Sequence, residues 1–335
     1  MKFKFNKVKV SIDHITLTSD DTSFIVFNPK VISNYKFIGQ RNIRKMHKNT
    51  YKTYLEFSHL KTFNKMFVFT DRGNVLGERD DNEYNYFLPN ATIKFYSSWD
   101  NPLTFQEVAG VVNEVVKEYN IAFNLAEFHV AIDLFSGPDD NYLEALKGVT
   151  KSNRIYDPDE DPDKPGTYYY QSNDNKKYPF RLLTYDKKKD LLDKNKNRII
   201  SEISLNELIE VCIIRIEFRV YNTVMGIVPS LESLADYCFD GLFETRVQFF
   251  EPDLLKLEKQ GLDPDTCKNM RLKELKQYLK ENGIVNNFFY YTKKDENLIN
   301  LVEQALKYFR WCNCPEEYPI IQPQLILKPR KIKFV

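Results

Sequence analysis

Glycine and histidine are scarce in this chain, and the short motifs of the common nucleotide-dependent and hydrolytic enzymes are missing. There is no Walker A loop, no Gly-x-Gly-x-x-Gly, no Gly-x-Ser-x-Gly and no His-Glu-x-x-His. P-loop, dinucleotide-binding, α/β-hydrolase and zincin chemistries therefore fall away. Only four histidines occur (His14, His47, His59, His129), which limits Ser-His or Cys-His catalysis, and no His-hydrophobic-His pair is among them. The five cysteines (Cys212, Cys238, Cys267, Cys312, Cys314) contain no Cys-x-x-Cys pair, so reduced thiols in a cytosol-like compartment are expected. No apolar run of about 18 residues is present. The amino terminus alternates Lys with Phe or Val, as a strand does and a signal peptide does not. A cytoplasmic protein with no membrane partner is the expectation.

Aromatic residues are plentiful. The 335 residues include 25 Phe and 21 Tyr against only 11 Gly, which favours β-rich structure over a long helical bundle. The length allows one large or two medium domains. The formal net charge is +1, but its distribution is uneven. Between Thr22 and Leu55 stand Lys30, Lys36, Arg41, Arg44, Lys45, Lys48 and Lys52 with no acid, interleaved with Tyr35, Phe37, Tyr51 and Tyr54. Cations with rings suit nucleic acid, through phosphate contacts and base stacking. The alternative is a solvated loop rich in Lys and Arg.

Three regions are expected. Residues 1–100 read as a β-rich part that includes the basic stretch 22–55. Residues 101–228 form a core that opens on an amphipathic helix. Thr104-x-x-Glu107 is its capping box and Phe105, Val108, Val112, Val115 and Tyr119 its apolar stripe. Residues 229–335 turn helical, with Leu-x-x-Leu spacing, and end in a basic tail (Lys328, Arg330, Lys331, Lys333).

The chemistry-bearing residues sit on strands. Residues 167–190 read as an aromatic strand, a polar turn, and a second strand in which Arg181, Leu183, Tyr185 and Lys187 share a face. A tyrosine between an arginine and a lysine can act as a phosphate-attacking nucleophile. Three further strands carry polar groups on one face and apolar ones on the other. They present His129 with Asp133, Arg215 with Glu217 and Arg219, and His14 with Thr16 and Thr18. Histidine, aspartate and glutamate from different strands of one sheet could hold Mg²⁺ or Mn²⁺. Each residue alone is as well explained by hydrogen bonding, and Arg-Glu-Arg by a cross-strand salt-bridge ladder.

The order of these motifs resembles the rolling-circle replication initiators of the Rep_trans type, which include staphylococcal plasmid initiators and relaxases of some integrative elements. More remotely it resembles the gene II proteins of filamentous phages. Tyr169-Tyr170-Gln171-Ser172 is similar to the family's Tyr-x-Gly-Ser strand, and the segment from Arg181 through Tyr185-Asp186-Lys187 to Asp190 to its tyrosine motif. Arg215-Ile216-Glu217-Phe218-Arg219 matches Arg-hydrophobic-Glu-hydrophobic-Arg, and Glu127 to Asp133 matches Arg-hydrophobic-Asp-x-x-x-Asp in part. Gln171 stands in place of Gly, Asp190 in place of Glu, His129 in place of Asp and Glu127 in place of Arg.

The resemblance implies an α+β fold, with an antiparallel β-sheet core, helices packed on one face and a mostly helical carboxy-terminal region. It implies a metal-dependent nicking endonuclease and strand transferase acting through a 5′-phosphotyrosine. Tyr185 would be the nucleophile, aided by Lys187 and Arg181, and Glu217, Asp133, His129 and His14 the metal ligands. Arg215, Arg219, Arg41, Arg44, Lys45, Lys48 and Tyr170 would contact DNA. The implied partners are single-stranded or extruded origin DNA, a host helicase and a second copy of the chain. A relaxase would perform the same chemistry, and a DNA-binding protein on the same fold would lack it.

Overall fold

The computed structural model describes residues 4–20, 27–43, 51, 53–70, 90–138, 155–156, 167–170, 180–192, 202–221, 228, 230–243, 250–267, 270, 272–284, 290–292, 296–311 and 320–322. Arg44, Lys45, Lys48 and the basic tail lie outside the described residues.

One sheet dominates the structure. Its strands are β1 (Phe5–Ser19), β2 (Tyr35–Asn42), β3 (Thr53–His59), β4 (Lys65–Phe69), β5 (Ala91–Tyr96), β6 (Asn124–Ser136), β7 (Ile155–Tyr156), β8 (Thr167–Tyr170), β9 (Phe180–Asp186) and β10 (Cys212–Tyr221). They lie in the order β2-β3-β4-β5-β1-β6-β10-β9-β8-β7. Every neighbouring pair is antiparallel. β1 pairs with β6, so the expected first and second regions share one sheet. The described part of the basic stretch contributes β2. Its Lys36 and Arg41 sit on an edge strand, where charge discourages pairing with a further chain.

Period-two alternation decides which face is dry. Ile15 and Leu17 of β1, Phe128, Val130, Ile132 and Leu134 of β6, and Ile214, Ile216, Phe218 and Val220 of β10 are all buried in one core. Helix α1 (Phe105–Tyr119) adds Phe105, Val108, Val112, Val115 and Val116 to it. Thr104 caps this helix by accepting from the Glu107 N–H, and Asn120 closes it in the left-handed conformation, φ 52°. The capping-box glutamate does more than cap. Its carboxylate accepts from the Tyr35 hydroxyl and from Asn64 Nδ2, tying the helix to β2 and to the turn between β3 and β4.

The opposite face is covered at one end by α2 (Lys187–Leu192) and α3 (Glu202–Ile209). Leu191 and Leu208 cluster there with Ile213, against Trp99 and Phe135. Beyond residue 228 the described elements are mostly helical. Among the described residues the helices there are α4 (Leu231–Ala235), α5 (Leu254–Lys259), α6 (Pro264–Cys267), α7 (Leu272–Glu281) and α8 (Glu296–Tyr308). Leu257, Leu262, Cys267, Leu275 and Leu279 of α5 to α7 form a small core of their own. By contrast α4 and α8 join the main core through Leu231, Leu234, Leu298, Val302 and Leu306. Trp311 seals this junction, donating from Nε1 to the Leu103 carbonyl at 2.7 Å. A two-stranded ribbon, β11 (Phe250–Pro252) with β12 (Tyr290–Thr292), interrupts the helical region. Leu-x-x-Leu spacing gave no sign of it.

Phe218 lies directly behind Glu217 and is 1% exposed. Phe218→Ala should cost about 3–5 kcal/mol in urea unfolding, as a buried ring loses both transfer energy and packing. Phe37→Ala, at a ring 41% exposed, should cost under about 1 kcal/mol. Equal losses would mean that Phe218 is no more deeply packed than Phe37.

Candidate functional site

The face of the sheet away from α1 carries ionisable groups from adjacent central strands. On β10 the alternation that buries Ile214, Ile216 and Phe218 leaves Arg215, Glu217 and Arg219 facing the other way. Register pairs Arg215 with Tyr185 of β9, Glu217 with Leu183, and Arg219 with Arg181. On the other flank it pairs Arg215 with Asp133 of β6 and Arg219 with His129. His129 in turn stands opposite His14 of β1, and Glu127 opposite Thr16.

A chain of hydrogen bonds runs through these positions. The Tyr185 hydroxyl donates to Glu217 Oε2 at 3.1 Å. Glu217 Oε1 accepts from Arg219 Nε at 2.7 Å and lies 3.1 Å from His129 Nδ1. The other nitrogen of that imidazole, Nε2, is 2.7 Å from Glu127 Oε1. His129 is thus clasped by two carboxylates. Burial opposes its charge, but the bonds to Glu127 and Glu217 outweigh burial and raise its pKa. Glu127 shows the reciprocal effect. Burial pushes it up, yet the hydrogen bond and charge of His129 hold it down at about 2.

His14, Glu127 and His129 bring one potential ligand atom each to within 4.8 Å of the others. His14 is buried and its Nδ1 has no hydrogen-bond partner among the described residues, while Nε2 contacts Thr16 Oγ1 at 2.8 Å. Burial and then the charge of His129 depress its pKa to about 3, so the ring is neutral and its nitrogen free to ligate. Two imidazoles with one carboxylate fit a divalent transition metal such as Mn²⁺ better than Mg²⁺, which prefers oxygen ligands.

Asp133, expected among the ligands, is engaged elsewhere. It accepts a bidentate pair from Arg215, with Nε to Oδ1 at 2.6 Å and Nη2 to Oδ2 at 2.8 Å. Arg215 Nη1 reaches Asp13 Oδ1 at 2.8 Å. The Arg215 guanidinium is buried and spent on these two carboxylates, which leaves it no donor fork to offer a phosphate. Removing one partner from such a buried pair typically costs about 3–5 kcal/mol. Asp13 reaches this face because the β1 register shifts between Ile12 and His14, so consecutive residues both contribute. Strict alternation with His14 and Thr16 would put Asp13 on the far face. Glu127 was legible in principle, two residues before His129 on the same strand face.

Tyr185 is half-buried, with its hydroxyl on Glu217 and Arg215 opposite it in register. Burial and then the Glu217 charge push its phenol well above its ordinary pKa, so at rest it is a protonated donor. β9 ends at Asp186, which caps α2 by accepting from the Lys189 N–H at 2.9 Å. Lys187 therefore starts the helix and does not continue the strand. Its ammonium is buried, bonds Asp190 at 3.0 Å and lies 5.7 Å from the Tyr185 ring centroid. Arg181 sits half-buried across from Arg219. Arg41 is far along the sheet on β2, paired with Glu56 at 2.9 Å. Tyr170 lies on β8 opposite Leu182, and its side chain is outside those described.

No family model and no curated protein matches the chain. Among solved structures it is similar to a rolling circle replication initiator protein from Geobacillus stearothermophilus, at 12% identity and a TM-score of 0.36. The match covers 80% of this chain and 99% of that one. A likeness of that order assigns neither activity nor site.

The clasped His129 has a measurable consequence. Its pKa stands above the ordinary 6.5, so near neutral pH it carries a proton that a metal ion must displace. Mn²⁺ titrated into metal-free protein by calorimetry should bind more tightly at pH 8 than at pH 6. About one proton should be released per ion bound at the lower pH. Binding that ignores pH, or that survives Glu127→Gln with His14→Ala, would remove these residues as ligands.

Proposed function

We propose that the chain is a rolling-circle replication initiator that nicks and rejoins single-stranded or extruded origin DNA through Tyr185. The observation that carries this is the hydrogen bond from the Tyr185 hydroxyl to Glu217. It lies on the sheet face that also holds the His14, Glu127 and His129 cluster, within the motif order described above.

The phenol is a poor nucleophile while protonated, and Glu217 is placed to accept its proton as attack begins. The Tyr185 oxygen would bond to the scissile phosphorus while the bond from phosphorus to the 3′ oxygen breaks. The proton passed to Glu217 balances the one the departing 3′ oxygen needs. The product is a 5′-phosphotyrosine and a free 3′-OH, and the reverse transfer rejoins the strand without ATP. A divalent ion, when bound, would polarise the scissile phosphate, with His14, Glu127 and His129 as its holders. Arg219 and Arg181, opposite each other in register, would meet phosphate charge. Lys187 would stabilise the developing phenolate through its position over the ring. A host helicase and a second copy of the chain remain part of this proposal as partners.

Tyr185→Phe, incubated with an origin-bearing single strand and Mn²⁺, should lose both nicking and the gel-shifted covalent adduct. A retained adduct would move the nucleophile to another tyrosine, Tyr170 first. Glu217→Ala should lower cleavage by about 10²–10⁴-fold while DNA binding persists. Unchanged cleavage in the Glu217 variant would remove Glu217 as the proton acceptor, and a wild-type chain that binds the strand without cleaving it would favour a DNA-binding protein without this chemistry.

A further inference from the structure

The hydrogen-bonded chain from Tyr185 to His129 does not stop at the metal-ligating cluster. It continues as a row of rings across the open face of the sheet, one from each successive strand. The His129 ring lies 4.4 Å from His14 on β1, centroid to centroid, and His14 lies 4.4 Å from Tyr96 on β5. Tyr96 is 5.5 Å from Phe67 on β4, and Phe67 is 5.5 Å from Tyr54 on β3. With Glu217 of β10 and Tyr185 of β9, seven adjacent strands each supply one member of a single line. At about 4.8 Å per strand the ring segment alone spans roughly 19 Å.

This row lies outside the hydrophobic core. Leu55, Phe57, Met66, Val68, Ile93 and Phe95, at the alternate positions of the same strands, supply that packing. Tyr54 and Phe67 are half-buried and Tyr96 is 38% exposed. Cations stand beside the rings. Lys94 is opposite Phe67 in register and 5.8 Å from the Phe69 centroid, Lys65 is opposite Tyr96, and Arg41 is opposite Tyr54. Glu56 stands among them and ion-pairs with both Arg41 and Lys65.

We infer that the Tyr54, Phe67 and Tyr96 row is a stacking track that holds single-stranded DNA and leads it to Tyr185. The inference rests on the proposed nicking function and extends it by naming where the strand flanking the scissile phosphate lies. Stacking and phosphate contact together explain rings and cations at strand spacing on an open face. A duplex, with its bases already stacked, could use the cations but not the rings. Recognition would be tolerant of sequence, since every base offers a π-face.

The test uses the full chain and fluorescein-labelled oligo-dT. Tyr54→Ala with Phe67→Ala should weaken oligo-dT binding by roughly tenfold or more, with the thermal midpoint checked against wild type. The ring-conserving pair Tyr54→Phe with Phe67→Tyr should bind as wild type does, which separates stacking from a folding defect. Wild-type affinity in the alanine variant would overturn the track, and so would equal weakening in the ring-conserving pair. An equal loss of duplex binding would overturn it in favour of a cationic docking face. Oligo-dT binding is read without cleavage, so a failed nicking assay and a failed track are read out separately.

Discussion

A guanidinium buried between two carboxylates holds the centre of this structure together. Arg215 of β10 grips Asp133 of β6 with two parallel bonds and reaches Asp13 of β1 with a third. The three strands are thereby fixed at one register on the face that carries the chemistry. A slip of one residue would turn every side chain to the opposite face, stranding a buried charge and breaking the dry core behind it. The same register that satisfies Arg215 sets Glu217 beside Leu183 and Arg219 beside His129. The line from Tyr185 to His14 depends on it.

The two faces divide the work. Ile214, Ile216 and Phe218 pack with α1 and α8 in a core that needs no polar group. Their alternates Arg215, Glu217 and Arg219 can be charged only because each finds a partner: Arg215 in Asp133 and Asp13, Glu217 in Arg219, His129 and Tyr185. Low polarity around them strengthens these interactions and shifts their titration in opposite directions. Carboxylates go down, the doubly bonded imidazole goes up, and His14 stays neutral. A neutral imidazole whose Nδ1 has no partner among the described residues thus stands next to one clasped between two carboxylates.

Within the helical region the same economy fails to hold. Helices α4 and α8 are anchored to the main core, whereas α5 to α7 close around Leu257, Cys267 and Leu275 by themselves. No described helix is long and apolar enough to cross a membrane.

Local pattern was enough to find most strands of the main sheet, the span of α1 with its Thr104 cap, and the faces on which Tyr185, Glu217, Arg219 and His129 stand. Alternation and capping are properties of neighbouring residues, so the amino-acid sequence by itself determined them. It could not determine which strands would be neighbours. Only the tertiary structure placed Glu127 and His14 together, gave Asp133 to Arg215, and turned Asp13 inward through a bulge. It also lined up Tyr54, Phe67 and Tyr96, which are scattered over 43 positions of the chain. Pairing across a sheet is a choice among distant segments, made by the summed burial and charge satisfaction of the whole, and no local window contains that sum.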